Sequence, residues 1–318
     1  MTCASAPGKV ILFGEHAVVS GFAAIGGAIG LRARVTLSDL PGRTVIRASN
    51  LAIREFSLDL ESGHLISREA EHATRYVSAV LRKFDLSDIS VSVESEIPPA
   101  SGLGSSAAIV VATMAALNSH LSLGLSREDL AHEAHRIERS VQGGLGSPMD
   151  TALSTFGGYL RISGGIEQLD LPAVQLVVGY TGQPHETRLL VERVQGLRAR
   201  YPDLVDPIFH AIGAISARGV ALLKEERLEE LGELMNINHG LLEALGVGTR
   251  ELCDLVYAAR GAGGALGAKL TGAGGGGCII ALPPPGGASS VITAISQARG
   301  EAFLVQAGCE GVRLEMGE

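Results

Sequence analysis

The chain of 318 residues lacks the signatures of fibrous and disordered proteins. It has only 12 prolines, and its 42 glycines follow no G-X-Y period, which excludes collagen-like and proline-rich disordered classes. Basic residues are short as well. With 26 Lys plus Arg against 34 Asp plus Glu the net charge is −8, which argues against binding nucleic acid by neutralising phosphates over a surface. Four cysteines (Cys3, Cys253, Cys278 and Cys309) show no C-x-x-C spacing, so neither a disulfide framework nor a thiolate zinc site is signalled and a reducing cytoplasm fits. No basic stretch precedes a hydrophobic one near the start, and the longest apolar run, Ala107–Leu117, is too short to span a bilayer. The expectation is a soluble, cytoplasmic protein with no membrane and no nucleic-acid partner. No Walker A loop, G-x-x-x-x-G-K-S/T, occurs, and there is no internal repeat or charge block.

What is present is enough apolar residue, 46%, to build a sizeable core in one large domain or two. Lys9–Phe13 and Leu31–Leu40 read as strands, Tyr76, Val77, Val80, Leu81 and Phe84 recur at helical spacing, and Ile89–Ile97 alternates as a half-buried strand should. Ala107–Leu121 reads as an apolar helix. A second begins at Ser126 and Asp129, lines one face with Leu130, Ala134, Ile137 and Val141, and ends at Gly143-Gly144. Tyr159–Ile162 is strand-like, and a soft domain boundary falls near residue 165. Beyond it come a strand at Gln175–Tyr180 and helices over Glu186–Arg200, Pro207–Lys224, Leu228–Leu245 and Thr249–Ala262. Strands at Gly277–Leu282 and Ala302–Val305 flank a helix at Ala288–Arg299. Helices and strands intermixed in both halves predict an α+β fold.

The glycine surplus, about twice the ~7% of average composition, is concentrated. Residues 261–277 hold nine glycines, a density expected of neither helix nor strand interior. Two readings compete there: a loop whose N–H groups wrap a phosphate, and a flexible linker. A linker would be polar, whereas this segment runs into the apolar Cys278–Leu282. Gly272-x-Gly274-x-x-Gly277 meets the dinucleotide spacing but is followed by an apolar strand instead of a helix, so that fingerprint fails on context. More informative is Gly102-Leu103-Gly104-Ser105-Ser106-Ala107, a tight turn with two hydroxyls at the first turn of an apolar helix. Free N–H groups and the helix dipole make such an end an anion site, and a serine hydroxyl can ligate magnesium; ordinary capping by Ser105 is the plainer alternative.

Taken singly, the charged candidates carry little. Lys9 opens a strand and Glu15-His16 follows its end, where a solvated charge and a surface imidazole are the usual outcome. Glu138 lies on the polar flank of its helix, where a solvated carboxylate is expected. His132, Glu133, His135 and Glu138 place two imidazoles three apart, which fails the four-residue zinc pattern. Asp150, in Ser147-Pro148-Met149-Asp150-Thr151, can cap a helix, but phosphoryl transfer also needs such a carboxylate near a cation.

Three glycine-bearing motifs in order, Pro7-Gly8-Lys9 to Val19, Pro98 to Ala108 and Lys269 to Gly277, closely resemble the superfamily of galactokinases, homoserine kinases, mevalonate kinases and phosphomevalonate kinases (GHMP kinases). Gly14-Glu15-His16-Ala17-Val18-Val19, Ser147 to Thr151 and Ser154-Thr155-Phe156-Gly157-Gly158 look like the archaeal mevalonate kinases, and the resemblance covers essentially the whole chain. It implies a two-domain α+β fold, residues 1–165 and a ferredoxin-like 166–318, with the active site in the cleft between them. It further implies ATP as donor, Mg2+, transfer to the C5 hydroxyl of (R)-mevalonate, and a homodimer. Asp150 is then the catalytic carboxylate with Lys9 as its cationic partner. Ser106 and Glu138 would hold magnesium. Pro98, Gly102, Leu103, Gly104, Ser105, Ser106 and Ala107 would bind ATP, and Glu15, His16, Thr181, Gly272, Ala273, Gly274 and Gly275 would face mevalonate. Two departures stand out: Ser20 occupies a position where the family usually has Tyr, and the Glu138-to-Asp150 stretch is one residue longer, within Gly143-Gly144-Leu145-Gly146. A phosphomevalonate kinase, a mevalonate-pathway decarboxylase and a catalytically silent nucleotide-binding regulator are the alternative readings.

Overall fold

The structure is a computed structural model that describes residues 1–50, 53–59, 68–144, 146–184 and 187–315, with backbone alone over 49–50, 53–59 and 68–73. The element order is β1 (Thr2–Phe13), β2 (Ala24–Asp39), β3 (Val45–Asn50), β4 (Ile53–Asp59), α1 (Arg68–Lys83), β5 (Ile89–Ser95), α2 (Ser105–His120), α3 (Arg127–Val141), α4 (Pro148–Phe156), β6 (Tyr159–Ile162), β7 (Ile166–Leu169) and β8 (Val174–Tyr180). The second half continues with α5 (Thr187–Arg200), α6 (Pro202–Lys224), α7 (Leu228–Ala244), α8 (Arg250–Arg260), β9 (Gly267–Thr271), β10 (Cys278–Leu282), α9 (Ala288–Gln297), β11 (Glu301–Ala307) and β12 (Arg313–Glu315).

The path through the sheet is β4-β3-β5-β2-β11-β8-β10-β9. β2, with 16 residues, is the seam: it pairs antiparallel with β1, β5 and β6, and touches β11 through the single pair Ala307 and Ile29. Strands from the two halves of the chain thus share one sheet. α2 is apolar all round, as a helix covered on every side should be. It packs on β1 and β2 and against α1, α3 and α4. Val110, Val111, Met114 and Leu117 have no exposed surface, each contributing roughly 1.5–3 kcal/mol of transfer free energy.

α3 begins as the sequence predicts. Ser126 accepts from the Asp129 N–H while Asp129 accepts from the Ser126 N–H, a complete capping box. Two expectations need correction. α6 starts at Pro202, earlier than Pro207, because Val205 and Phe209 are both buried and extend the apolar stripe toward the N-terminus. The segment 261–277 is not one loop, since β9 lies inside it. A Cβ on Gly267 would stand 2.1 Å from the Gly232 carbonyl oxygen, so glycine here lets the α7 backbone rest on the strand. β9 is an edge strand, and α7 covers that edge. Asn236 accepts from the Ala268 N–H at 3.1 Å and His239 Nδ1 from the Leu270 N–H at 3.4 Å, supplying partners that a neighbouring strand would otherwise provide. The β3–β4 hairpin, β7 and β12 carried no signal used in the sequence reading. The expected helix start at Glu186, and Leu145 within the run expected to carry the extra residue, lie outside the described residues.

Candidate functional site

β1 and the turn before α2 interlock through glycine. The Lys9 N–H donates to the Leu103 carbonyl at 2.8 Å, and a Cβ on Gly8 would stand 2.8 Å from that same oxygen. Gly104, at φ +79°, leaves room for the Lys9 side chain, whose Cγ would be 2.9 Å from a Cβ there. The result sets the Lys9 amine beside the N-terminus of α2. Gly104 itself is the N-cap, with no side chain closing the end, so capping by Ser105 does not occur. The first helical bond runs from the Ala108 N–H to the Gly104 carbonyl, leaving the N–H groups of 105–107 ahead of it. Upstream, Ser101 Oγ donates to the Pro98 carbonyl at 2.7 Å and Leu103 is fully buried, which holds the Pro98–Gly104 segment in place.

Across from this helix end, Lys9 Nζ lies 3.4 Å from Asp150 Oδ2. Asp150 sits in the first turn of α4, where Ser147 caps the helix by accepting from the Met149 N–H and Pro148 takes a position that needs no donor. α4 is pinned to β1 because the Ser154 hydroxyl donates to the Pro7 carbonyl at 2.9 Å. Ser106 Oγ donates to Glu138 Oε1 at 2.7 Å, and Gln142 donates to the same oxygen at 3.2 Å. Contrary to the sequence expectation of a solvated flank, Glu138 is only 2% exposed, because that side of α3 faces α2 and α4. Burial, then the Asp150 charge, push its carboxyl up to about 7. Its Oε2 is buried without a hydrogen-bond partner. A hydroxyl beside an unsatisfied carboxylate oxygen is a hard-oxygen donor set that fits a magnesium ion. Gly143, Gly144 and Gly146 all have positive φ, 66°, 89° and 134°, and beyond them Asp150 lies against Lys9.

The other expected residues form a second cluster. Glu15 is buried in an ion pair with Lys269, itself fully enclosed, and its second oxygen accepts from Asn238 Nδ2 at 3.3 Å. His16, at φ 61°, donates from Nε2 to the Ala273 carbonyl at 2.9 Å. A carbonyl can only accept, so Nδ1 is the bare nitrogen, and it has no partner among the described residues. Burial lowers the His16 pKa, keeping the ring neutral. Thr181 donates to the Gly277 carbonyl at 2.9 Å. Gly272, Gly274 and Gly275 have positive φ. Gly274 and Gly275 are also packing glycines: a Cβ would stand 2.2 Å from the Val247 carbonyl oxygen and 2.7 Å from Leu190 respectively, whereas Gly272 faces open space.

Lys9, Ser106, Glu138 and Asp150 are therefore brought together, and Glu15, His16, Ala273 and Lys269 form a neighbouring group. Sequence reasoning gave Lys269 no role, although a lysine inside the apolar stretch Gly267–Thr271 was a usable signal; Asn238, on a helix with many polar residues, gave none. Among the described residues one trio, His239, Glu243 and Cys253, has metal-ligand atoms within 4.8 Å of one another. The Leu270 N–H pointing at His239 Nδ1 puts the ring proton on Nε2, the nitrogen facing Glu243, so the imidazole is not offered as a ligand. No helix among the described residues is long and apolar enough to cross a membrane.

The profile of the GHMP kinases N-terminal domain matches residues 71–158 and that of the GHMP kinases C-terminal domain matches 220–302. The chain is 44% identical to the mevalonate kinase of Pyrococcus abyssi, over 99% of this chain and 98% of that protein. It is 45% identical to that of Pyrococcus horikoshii over 98% and 97%. In three dimensions it resembles the mevalonate kinase of Methanococcus jannaschii, with TM-score 0.81, 26% identity, and 96% and 98% of the two chains covered. The L. major mevalonate kinase solved in complex with R-mevalonate shares the fold, with TM-score 0.83 at 24% identity over 96% of each chain. The chain belongs to the GHMP kinase family and has its two-domain α+β fold.

Proposed function

We propose that this protein is a mevalonate kinase, transferring the γ-phosphate of ATP to the C5 hydroxyl of (R)-mevalonate to give 5-phosphomevalonate and ADP. The observation that carries the reading is Lys9 Nζ at 3.4 Å from Asp150 Oδ2 beside the uncapped N-terminus of α2. In this mechanism Asp150 accepts the proton of the attacking hydroxyl. Lys9, paired with the carboxylate, stabilises negative charge developing on the oxygen. Pro98 and the turn from Gly102 to Ala107 receive the phosphates, because N–H groups at a helix start favour an anion without any basic surface. Ser106 and Glu138 would hold Mg2+, which would supply positive charge to offset that of the phosphates. His16, Thr181 and Gly272 to Gly275 line the mevalonate side, whereas Glu15, which the resemblance also places there, is buried in its pair with Lys269.

The two units are residues 1–165 and 166–318, with the substrates in the cleft between them. A cytoplasmic homodimer that engages neither nucleic acid nor membrane completes the reading. A phosphomevalonate kinase would need a free cation for the second phosphate. Lys269, the lysine beside the substrate motifs, is spent on Glu15, which favours the unphosphorylated substrate. The test is ADP release over a panel of mevalonate, phosphomevalonate, homoserine and galactose. Mevalonate alone should turn over, and preference for any other acceptor refutes the assignment.

A further inference from the structure

The turn that follows β1 is held from the opposite side of the chain. Gly14 has φ +101° and a Cβ there would stand 2.3 Å from Ala24 Cα, and His16 is a non-glycine residue at φ 61°, a conformation L side chains avoid. A strained turn of this kind persists only where its surroundings fix it. Here they come from β9 and the loop after it. The Thr271 hydroxyl accepts from the Ile11 N–H at 3.0 Å and donates to the Ile11 carbonyl at 2.9 Å. His16 reaches the Ala273 carbonyl, and between these contacts lies the Glu15 and Lys269 ion pair.

Both charges of that pair are out of water, with Lys269 0% and Glu15 2% exposed. Lys269 Nζ donates in addition to the Leu270 carbonyl at 2.7 Å, and Asn238 takes the second Glu15 oxygen, so each carboxylate oxygen has a donor. A buried pair adds little to stability over an apolar replacement, but losing one partner leaves a bare charge inside the protein. Mevalonate is a carboxylate, and an unpaired glutamate next to its site would repel it.

We infer that Lys269 is a positioning residue for the acceptor substrate: it neutralises Glu15 and holds the Gly14 to His16 turn against β9, so that Glu15 supports the site without touching the substrate. This rests on the proposed mevalonate kinase reading. Asn238 is the third member, fixing the carboxylate rotamer. Because the pair acts as a unit, Lys269 and Glu15 are expected to be strongly non-additive.

The test is a double-mutant cycle with Lys269→Met, Glu15→Gln and the combination, read by steady-state kinetics with mevalonate and ATP varied separately. Lys269→Met should raise KM for mevalonate by roughly tenfold or more while KM for ATP stays within about twofold. The double variant, which buries no unpaired charge, should return to within about fivefold of wild type. Where Lys269→Met does not fold, the double variant alone decides: folded with near-normal mevalonate KM supports the inference. A folded double variant as impaired as either single one, or equal losses for both substrates, overturns it, since a Glu15 that touches mevalonate cannot be rescued at position 269. Wild-type turnover of mevalonate is measured alongside, and its absence would refute the functional reading instead of the positioning role of Lys269.

Discussion

Lys9 Nζ and Asp150 Oδ2 stand 3.4 Å apart although one residue is on β1 and the other on α4. The Ser154 hydroxyl on the Pro7 carbonyl fixes that separation, joining helix to strand one turn beyond Asp150 and just before Lys9. Removing the carboxylate while keeping its shape is the cleanest test of the pair. Asp150→Asn should lower kcat by about 100-fold or more with mevalonate KM nearly unchanged, as expected for a group acting only in the transition state. Near-normal kcat would remove Asp150 from the chemistry.

Gly104 should be intolerant to alanine. A methyl there meets the Lys9 side chain at 2.9 Å, and φ +79° costs an L residue about 1–2 kcal/mol. Gly104→Ala is expected to lose kcat through displacement of Lys9 and to melt a few degrees lower. Gly124, also at positive φ but with open space around it, provides the comparison: Gly124→Ala should show the strain without the kinetic loss.

Glu138 gives the protein a pH dependence with a definite sign. Its carboxyl is raised to about 7 in the fold, above the ~4.3 of an unfolded chain. A group shifted upward contributes stability that is complete below the unfolded value and lost as pH rises through the folded one. Metal-free protein should therefore lose on the order of 3 kcal/mol from this group between about pH 4.5 and 7.5. Thermal melts of Glu138→Gln should sit above wild type near pH 8 and converge with it near pH 5, while Mg2+-dependent turnover falls. An equal Tm difference at both pH values contradicts the assignment.

Gly267 tests the packing of α7 on β9. A Cβ would stand 2.1 Å from one backbone atom of Gly232 and 2.5 Å from another, with no flexible side chain to give way. Gly267→Ala is expected to cost roughly 1–3 kcal/mol or more, read as a lowered denaturation midpoint. An unchanged midpoint would show that the helix can lift off the strand freely.

How legible these features were depended on whether the signal was local. The apolar α2, the capping box at Ser126 and Asp129, and the order of the three glycine motifs lie within short windows, and the sequence states them directly. β9 was hidden because its one glycine, Gly267, serves contact with α7, and a glycine needed for helix-on-strand approach looks the same as one needed at a phosphate. Burial of Glu138 was invisible because α3 is polar on average, and only the docking of α2 and α4 decides which polar side chain is enclosed. Lys269 was visible as a misplaced charge, but Glu15, 254 positions away, could not be named as its partner from spacing.

The most direct test of the central claim follows phosphorus through the reaction. Purified protein with ATP, Mg2+ and (R)-mevalonate should release ADP in step with mevalonate consumed, and phosphorus NMR of the product should show a phosphomonoester coupled to the C5 methylene protons. No turnover at millimolar mevalonate, or a phosphate on any other oxygen, would contradict the account.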